Sequence, residues 1–203
     1  MSPLALLLLF ALPAAAPEVS GEKAATGVYR FRGEAELPGP AAPLVAMVTA
    51  YDQQCKHGCR YEVPSVDRTE ILPGEHEGLF YTWSYVDDLL DGAYFMAVEV
   101  KTANAATTVR SYSPDAETLA RLVDKDHPHQ PFFHFQEVAW KFEESPPAPG
   151  GLARTRVTVE MEMRSDRWAV NLLPGQIVER TKEHLLLIYS YLAEAAAAGA
   201  VGD

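Results

Sequence analysis

The side chains best suited to covalent or metal chemistry in this sequence are two cysteines, six histidines and two carboxylate pairs. Cys55 and Cys59 stand as C-x-x-x-C, one residue wider than the C-x-x-C of thiol redox motifs. A disulfide there would pin the turn Lys56-His57-Gly58. Its loop is so short that the entropic gain falls below the roughly 3 kcal/mol of a 15-residue loop. Free thiols and redox or metal chemistry are the alternatives. The histidines His57, His76, His127, His129, His134 and His184 fall at no metal-site spacing. His127-Pro128-His129 beside Asp126 comes nearest and reads as a solvated loop. Asp87-Asp88 and Glu143-Glu144 read as solvated turns, not as catalytic carboxylate pairs. The chain has no G-x-S-x-G, Walker, G-x-G-x-x-G or H-E-x-x-H motif. No catalytic residue, cofactor or metal is therefore expected. Arg110 is the cation best placed to anchor a ligand head group, provided its strand face, shared with Tyr112, turns inward.

Composition narrows the partners. The 203 residues suit one domain, and 48% hydrophobic with 22% charged residues suits a packed globular core. A formal net charge of -11 repels phosphate backbones and anionic lipid surfaces. Nucleic acid binding and a polybasic membrane patch are both disfavoured. Residues 4–12 are an apolar run, followed by Pro13-Ala14-Ala15-Ala16, which resembles the core and cleavage region of a secretory leader. The run is shorter than the roughly 20 apolar residues that span a bilayer. A cut after Ala16 meets Pro17, so a cut after Gly21 is the second choice. The expected division is leader and linker over 1–21 and a ligand-binding domain over 27–198. A close cysteine pair in an exported chain favours the disulfide.

The elements that would position these groups follow from periodicity. Residues 17–26 are small and polar and read as a linker. From Val28 the chain alternates, with Tyr29, Phe31, Gly33 and Ala35 on one face. Pro43 suits the first turn of a short helix with Leu44, Val45, Val48 and Tyr51 along its stripe. Five strand-like segments come next. Tyr81, Trp83 and Tyr85 share one strand face, and Tyr94, Met96, Val98 and Val100 share one face of the following strand. Residues 107–112 form a shorter strand. Asp115 starts a short helix with Leu119, Leu122 and Val123 apolar. In residues 132–143 Val138, Trp140 and Phe142 alternate with charged residues. Arg154–Arg164 alternates most cleanly, with Thr155, Val157, Val159, Met161 and Met163 on its dry face. Pro174-Gly175 opens a long helix to about Ala198, with Ile177, Thr181, Leu185, Ile188 and Leu192 as its stripe. The order predicts an α+β fold: a curved antiparallel sheet of six or seven strands around a long C-terminal helix, with short helices between strands.

This order resembles the START / SRPBCC superfamily, the helix-grip or Bet v 1-like fold. The resemblance covers about 28–192. Its marks are the aromatic strand, acidic turn and Tyr94-Phe95-Met96 start of the next strand; Trp140 with Thr155-Arg156-Val157-Thr158-Val159; and Trp168 followed by Leu173-Pro174 and the long helix. The resemblance implies an internal cavity for a lipid, fatty acid or sterol-like molecule, capped by the C-terminal helix. Some sterol carriers of this kind hold a buried charged pair. The matching positions here fall near Trp83 and Val98, both uncharged, which implies a drier pocket.

The large dry-face residues are the expected lining: Tyr81, Trp83, Tyr85, Tyr94, Met96, Val98, Tyr112, Phe135, Trp140, Val159, Met161, Leu185 and Ile188, with Arg110 as anchor. Met fills irregular space, and a buried Tyr offers an apolar body with one hydroxyl. One methylene contributes roughly 0.8 kcal/mol on burial, so a long chain binds without any catalytic constellation. The expected function is a secreted or periplasmic carrier of a hydrophobic ligand, monomeric, with transient membrane contact. Opening would move the C-terminal helix, aided by the loop around 87–92. The rival readings are a polyketide cyclase or aromatase of the same superfamily and a protein-interaction module.

Overall fold

The computed structural model of the chain describes residues 16–87, 91–146 and 153–199. The expected leader core at 4–12 and the central part of the loop around 87–92 lie outside the described residues. The chain runs β1 (Glu18–Ala25), β2 (Val28–Pro38), α1 (Ala41–Thr49), a 3-10 turn (Tyr51–Gln53), β3 (Gln54–Cys55), β4 (Tyr61–Glu62), β5 (Val66–Pro73), β6 (Leu79–Asp87), β7 (Asp91–Ala103), β8 (Ala106–Tyr112), α2 (Ala116–Leu122), β9 (His134–Ser145), β10 (Arg154–Arg164), α3 (Trp168–Leu172) and α4 (Pro174–Gly199).

Eight strands form one antiparallel sheet in the order β1-β2-β10-β9-β8-β7-β6-β5, and β3 pairs with β4 in parallel beside it. The expected six or seven strands become eight because residues 17–26 are not a linker. Glu18 to Ala25 pair along β2, from Glu18 opposite Glu34 to Ala25 opposite Val28. Short polar side chains hide this strand from a periodicity reading. The β2 ladder, a turn at Gly27 with φ +70°, and Val19 packed on the core hold it. The backbone carbonyl of Ser165 lies where a Gly27 side chain would point.

The long central ladder is amphipathic across strands. Val157, Val159, Met161 and Met163 of β10 stand opposite Ala35, Gly33, Phe31 and Tyr29 of β2. All of these face α4. The outer face carries charge pairs, Arg30 with Glu162 at 2.8 Å and Arg156 with Glu34 at 2.8 Å. At this exposure solvent screening leaves such pairs little net stabilising effect, and the buried face supplies the stability.

Two helices close the inner face. α4 packs on β1, β2 and α1, while α1 packs on β8 and β9. Leu185, Tyr189, Leu192 and Ala196 of α4 are buried, as are Leu44, Met47 and Val48 of α1. Pro40 precedes α1 with no side-chain cap of its own. Glu144 of β9 supplies one from a distance: its carboxylate accepts from the Ala41 N–H at 2.6 Å. Glu143 and Glu144 are thus strand residues, not a solvated turn, and Glu143 pairs with Lys141. Asp115 caps α2 through the Thr118 N–H, as its sequence position predicts. Asn104 and Ala105, at φ 50° and 61°, form the tight turn between β7 and β8. Cys55 and Cys59 are disulfide-bonded, with Cα atoms 5.5 Å apart.

Candidate functional site

A cavity of about 290 Å³ lies between the inner face of the sheet and α4. Its apolar floor comes from Tyr94 and Met96 of β7, Phe135, Val138 and Trp140 of β9, and Met161 and Met163 of β10. α4 contributes Ile177, Leu185 and Ile188, and the segment before β9 adds Phe132 and Phe133. Gly92 lines the wall, and the Phe132 ring occupies the space a β-carbon there would need. A larger depression of about 450 Å³ lies elsewhere, beside β1, β2 and β10. Arg30 and Glu162, two of the residues that line it, form an exposed ion pair. A solvated charged hollow offers an apolar ligand little, so the smaller cavity is the candidate site.

The cavity is not uniformly apolar. The Tyr51 hydroxyl and Ser111 Oγ are 3.1 Å apart. Burial pushes the Tyr94 phenol up to about 12 and raises Tyr51 as well. Both keep their protons near neutral pH and offer hydroxyls inside the hollow. At the other side Ser65 Oγ is 3.2 Å from His184 Nε2, with Thr181 and Arg180 alongside in the lining. Arg180 is exposed, unlike the other described residues of the lining.

Of the residues expected from the sequence, Tyr94, Met96, Phe135, Trp140, Met161, Leu185 and Ile188 come together around this cavity. Val98 and Val159 are fully buried in the surrounding core. Tyr81, Trp83 and Tyr85 are corrected: they face the opposite way. The β6–β7 register sets Trp83 opposite Phe95 and Thr82 opposite Met96, so the aromatic face of β6 matches the outer face of β7. Trp83 packs there with Ala93 and Phe95 beneath Leu119 and Leu122 of α2. Arg110 and Tyr112 are corrected likewise. Val109 and Ser111 turn inward, while Arg110 pairs outside with Glu137 at 2.6 Å and the Tyr112 hydroxyl donates to Glu99 at 2.9 Å.

Several lining residues were not among the expected ones. Val138, Met163, Ile177 and Thr181 sat on faces already read as dry, so a wider reading of the same periodicity reaches them. Arg180 and His184 carry a subtler signal: at spacing of four they sit along the apolar stripe of α4 and interrupt it with polarity. Ser65 and Phe132 carry no such signal, because loops bring them in.

The loop that carries the histidines is exposed at Asp124, Lys125, Asp126 and Pro128, while His127 within it is half-buried: its ring lies 3.2 Å from Glu70 and 3.1 Å from Asp124, and 5.2 Å from the Trp83 ring. Trp83 Nε1 donates to the Pro128 carbonyl at 2.9 Å. The hydrogen bond to Glu70, aided by Asp124, raises the His127 pKa against the opposing effect of burial. A raised folded pKa stabilises fully below the unfolded value of about 6.5, and the gain disappears as pH rises through the folded value. Burial lowers the pKa of His129, which acts in the opposite sense. The parent chain should therefore exceed His127→Gln in stability by more at about pH 5 than at about pH 8.5. Urea midpoints at the two pH values check this; an equal difference at both would remove the histidine clamp.

Two solved structures share the arrangement. The human StarD13 (DLC2) lipid transfer and protein localization domain has a TM-score of 0.57 at 10% identity, covering 85% of this chain and 82% of that one. Human STARD10 has a TM-score of 0.61 at 9% identity, covering 90% of this chain and 73% of that one. At such identity the likeness is one of fold, and the chain has the START helix-grip fold. No protein-family model and no curated sequence matches it.

Proposed function

We propose, from a START fold that encloses an apolar cavity, that this protein binds and carries a small hydrophobic molecule outside the cytoplasm. The observation that carries the reading is the 290 Å³ hollow itself, floored by Trp140, Met161, Met96 and Phe135 and capped by α4. Such a site needs burial, not catalysis: each methylene moved from water contributes roughly 0.8 kcal/mol, less the cost of association. α4 acts as the lid, since it supplies one whole wall and meets the rest of the lining through its side chains. The disulfide and the leader-like first residues support an oxidising compartment, secreted or periplasmic. No helix among the described residues is long and apolar enough to cross a membrane.

Exchange with a bilayer would use α3. Trp168 is 75% exposed and Leu172 65% exposed, with Leu173 beside them, directly before the helix that caps the cavity. Trp and Leu on a short exposed helix suit a membrane interface. Arg167 stacks over Phe132, itself a lining residue, at 4.9 Å and so ties α3 to the cavity. The carrier works as a monomer in this reading.

Native mass spectrometry of protein purified from its host should show an adduct lost on organic extraction, and vesicles carrying that lipid should reload the extracted protein. Uniformly empty protein that takes up nothing from vesicles would sink the proposal. A second reading, an enzyme of the cyclase or aromatase kind, draws on the Tyr51 and Tyr94 hydroxyls inside the hollow. Recovery of a chemically altered ligand in the same experiment would favour it.

A further inference from the structure

The Cys55–Cys59 disulfide lies in a strap of chain, residues 54–66, that joins the cavity wall to the lid helix. We propose, resting on the carrier reading of the cavity, that this disulfide is a thiol-reactive latch. A dithiol reductant that opens it frees the strap, α4 lifts, and the ligand leaves.

The local fold of the strap depends on the cross-link. β3 and β4 run parallel, with Gln54 opposite Tyr61 and Cys55 opposite Glu62. Parallel neighbours ordinarily need a crossover of a dozen or more residues. Here residues 56–60 alone make the return. A two-residue ladder is too short to hold so tight a return by itself. The Val63 N–H donates to the Cys55 carbonyl at 3.0 Å and the Gly58 N–H to the Glu62 carboxylate at 3.1 Å. Once the cross-link opens, the return hangs on these bonds and the short ladder.

The strap in turn holds the lid. The Tyr191 hydroxyl of α4 donates to the Glu62 carbonyl at 2.8 Å, and the Tyr61 and Tyr191 rings lie 5.3 Å apart. Two turns earlier on α4, His184 Nε2 stands 3.2 Å from Ser65 Oγ. Val63, Ser65 and Val66 themselves line the cavity. The end of β6 is tied in as well: the Asp87 N–H donates to the Ser65 carbonyl at 3.0 Å, and Lys56 pairs with the Asp87 carboxylate at 3.1 Å. One short strap therefore grips α4 at two heights and closes part of the wall, and a covalent bond pins its first turn.

That turn is reachable. His57 and Gly58 are exposed, and Cys55 and Cys59 are half-buried. A thiolate of the reductant attacks one sulfur and forms a mixed disulfide, which the reductant's second thiol resolves. The reductant departs as a disulfide and Cys55 and Cys59 become thiols, two electrons and two protons having passed to the protein.

The test loads the delipidated full chain with N-phenyl-1-naphthylamine and follows its release into phosphatidylcholine vesicles by stopped flow, with dithiothreitol or with oxidised dithiothreitol. Release should be about tenfold faster after reduction, the size of one aromatic pair and one hydrogen bond lost together. The double variant Cys55→Ser, Cys59→Ser should release at the reduced rate with either reagent. Tyr191→Phe, which keeps the ring and loses the bond to Glu62, should release about fivefold faster than the parent before reduction. Hydrogen exchange should show reduction loosening residues 54–66 and the first half of α4 while the β2–β10 ladder keeps its protection. Equal release in both redox states would overturn the latch and leave the cavity reading intact. Protection lost throughout the sheet on reduction would overturn it as well, by making the disulfide a general staple of the fold. No uptake of the probe by either form would overturn the cavity reading itself, and this inference with it.

Discussion

Ile188→Trp should cost the protein its ligand and little of its stability. Ile188 sits on α4, half-buried against the hollow that Trp140 and Met161 floor. An indole there projects into open space and consumes much of a 290 Å³ volume. Affinity for a medium-chain probe should fall by on the order of a hundredfold or more, about 2.7 kcal/mol, because the buried methylenes have nowhere to go. Overpacking a solid core costs about 1–3 kcal/mol. A void absorbs the ring instead, so the stability read from urea unfolding should change by less than about 1 kcal/mol. The two readouts together decide the matter. Lost binding at parental stability places the ligand in the hollow. Unchanged binding would put the ligand elsewhere. Met161→Trp, entering from the opposite wall, should behave the same way.

Gly33→Val should be among the most destabilising single changes in the sheet. Gly33 lies in β2 opposite Val159, and a β-carbon there would stand 2.7 Å from the Tyr189 ring and 2.9 Å from its hydroxyl. Tyr189 is 2% exposed, packs edge-on against Trp140 at 5.6 Å, and its hydroxyl donates toward the Val157 carbonyl at 3.4 Å. The glycine therefore lets the lid helix settle on the sheet through one aromatic ring. Adding an isopropyl group must push α4 outward or drive Tyr189 from its rotamer, at about 3 kcal/mol. Chemical denaturation measures it. Tyr189→Leu in the same chain should recover part of the loss, since neighbouring substitutions that share one contact are not additive. A Gly33→Val protein as stable as its parent would show that α4 does not rest there.

How far the site was legible depends on how each residue enters it. Tyr94, Met96, Trp140 and Met161 sit on strands with strict alternation, so their common face follows from spacing along the chain. Leu185 and Ile188 follow from the helical stripe in the same way. Tyr81, Trp83 and Tyr85 show where this reasoning stops. Their alternation is as strong, and it correctly places them on one buried face. It does not say which face, because both sides of β6 are covered, one by the α4 side of the sheet and the other by α2 and the His127 loop. β1 escaped notice for the reverse reason: an edge strand of Glu, Ser, Gly and Lys buries little and leaves no periodic trace.

The order of strands and helices, the dry face of β10, the stripe of α4 and the cysteine turn are local properties, set by the succession of side chains, and the START-like arrangement follows from them. Tertiary structure decided three things that spacing cannot contain: the β6–β7 register that turned the aromatic strand outward, the loop residues Ser65 and Phe132 that complete the cavity wall, and the hollow itself. A void is a property of how distant surfaces fail to meet. Its volume depends on the backbone placement of residues far apart in the chain, such as Ser65 and His184, and no periodicity along one strand encodes that.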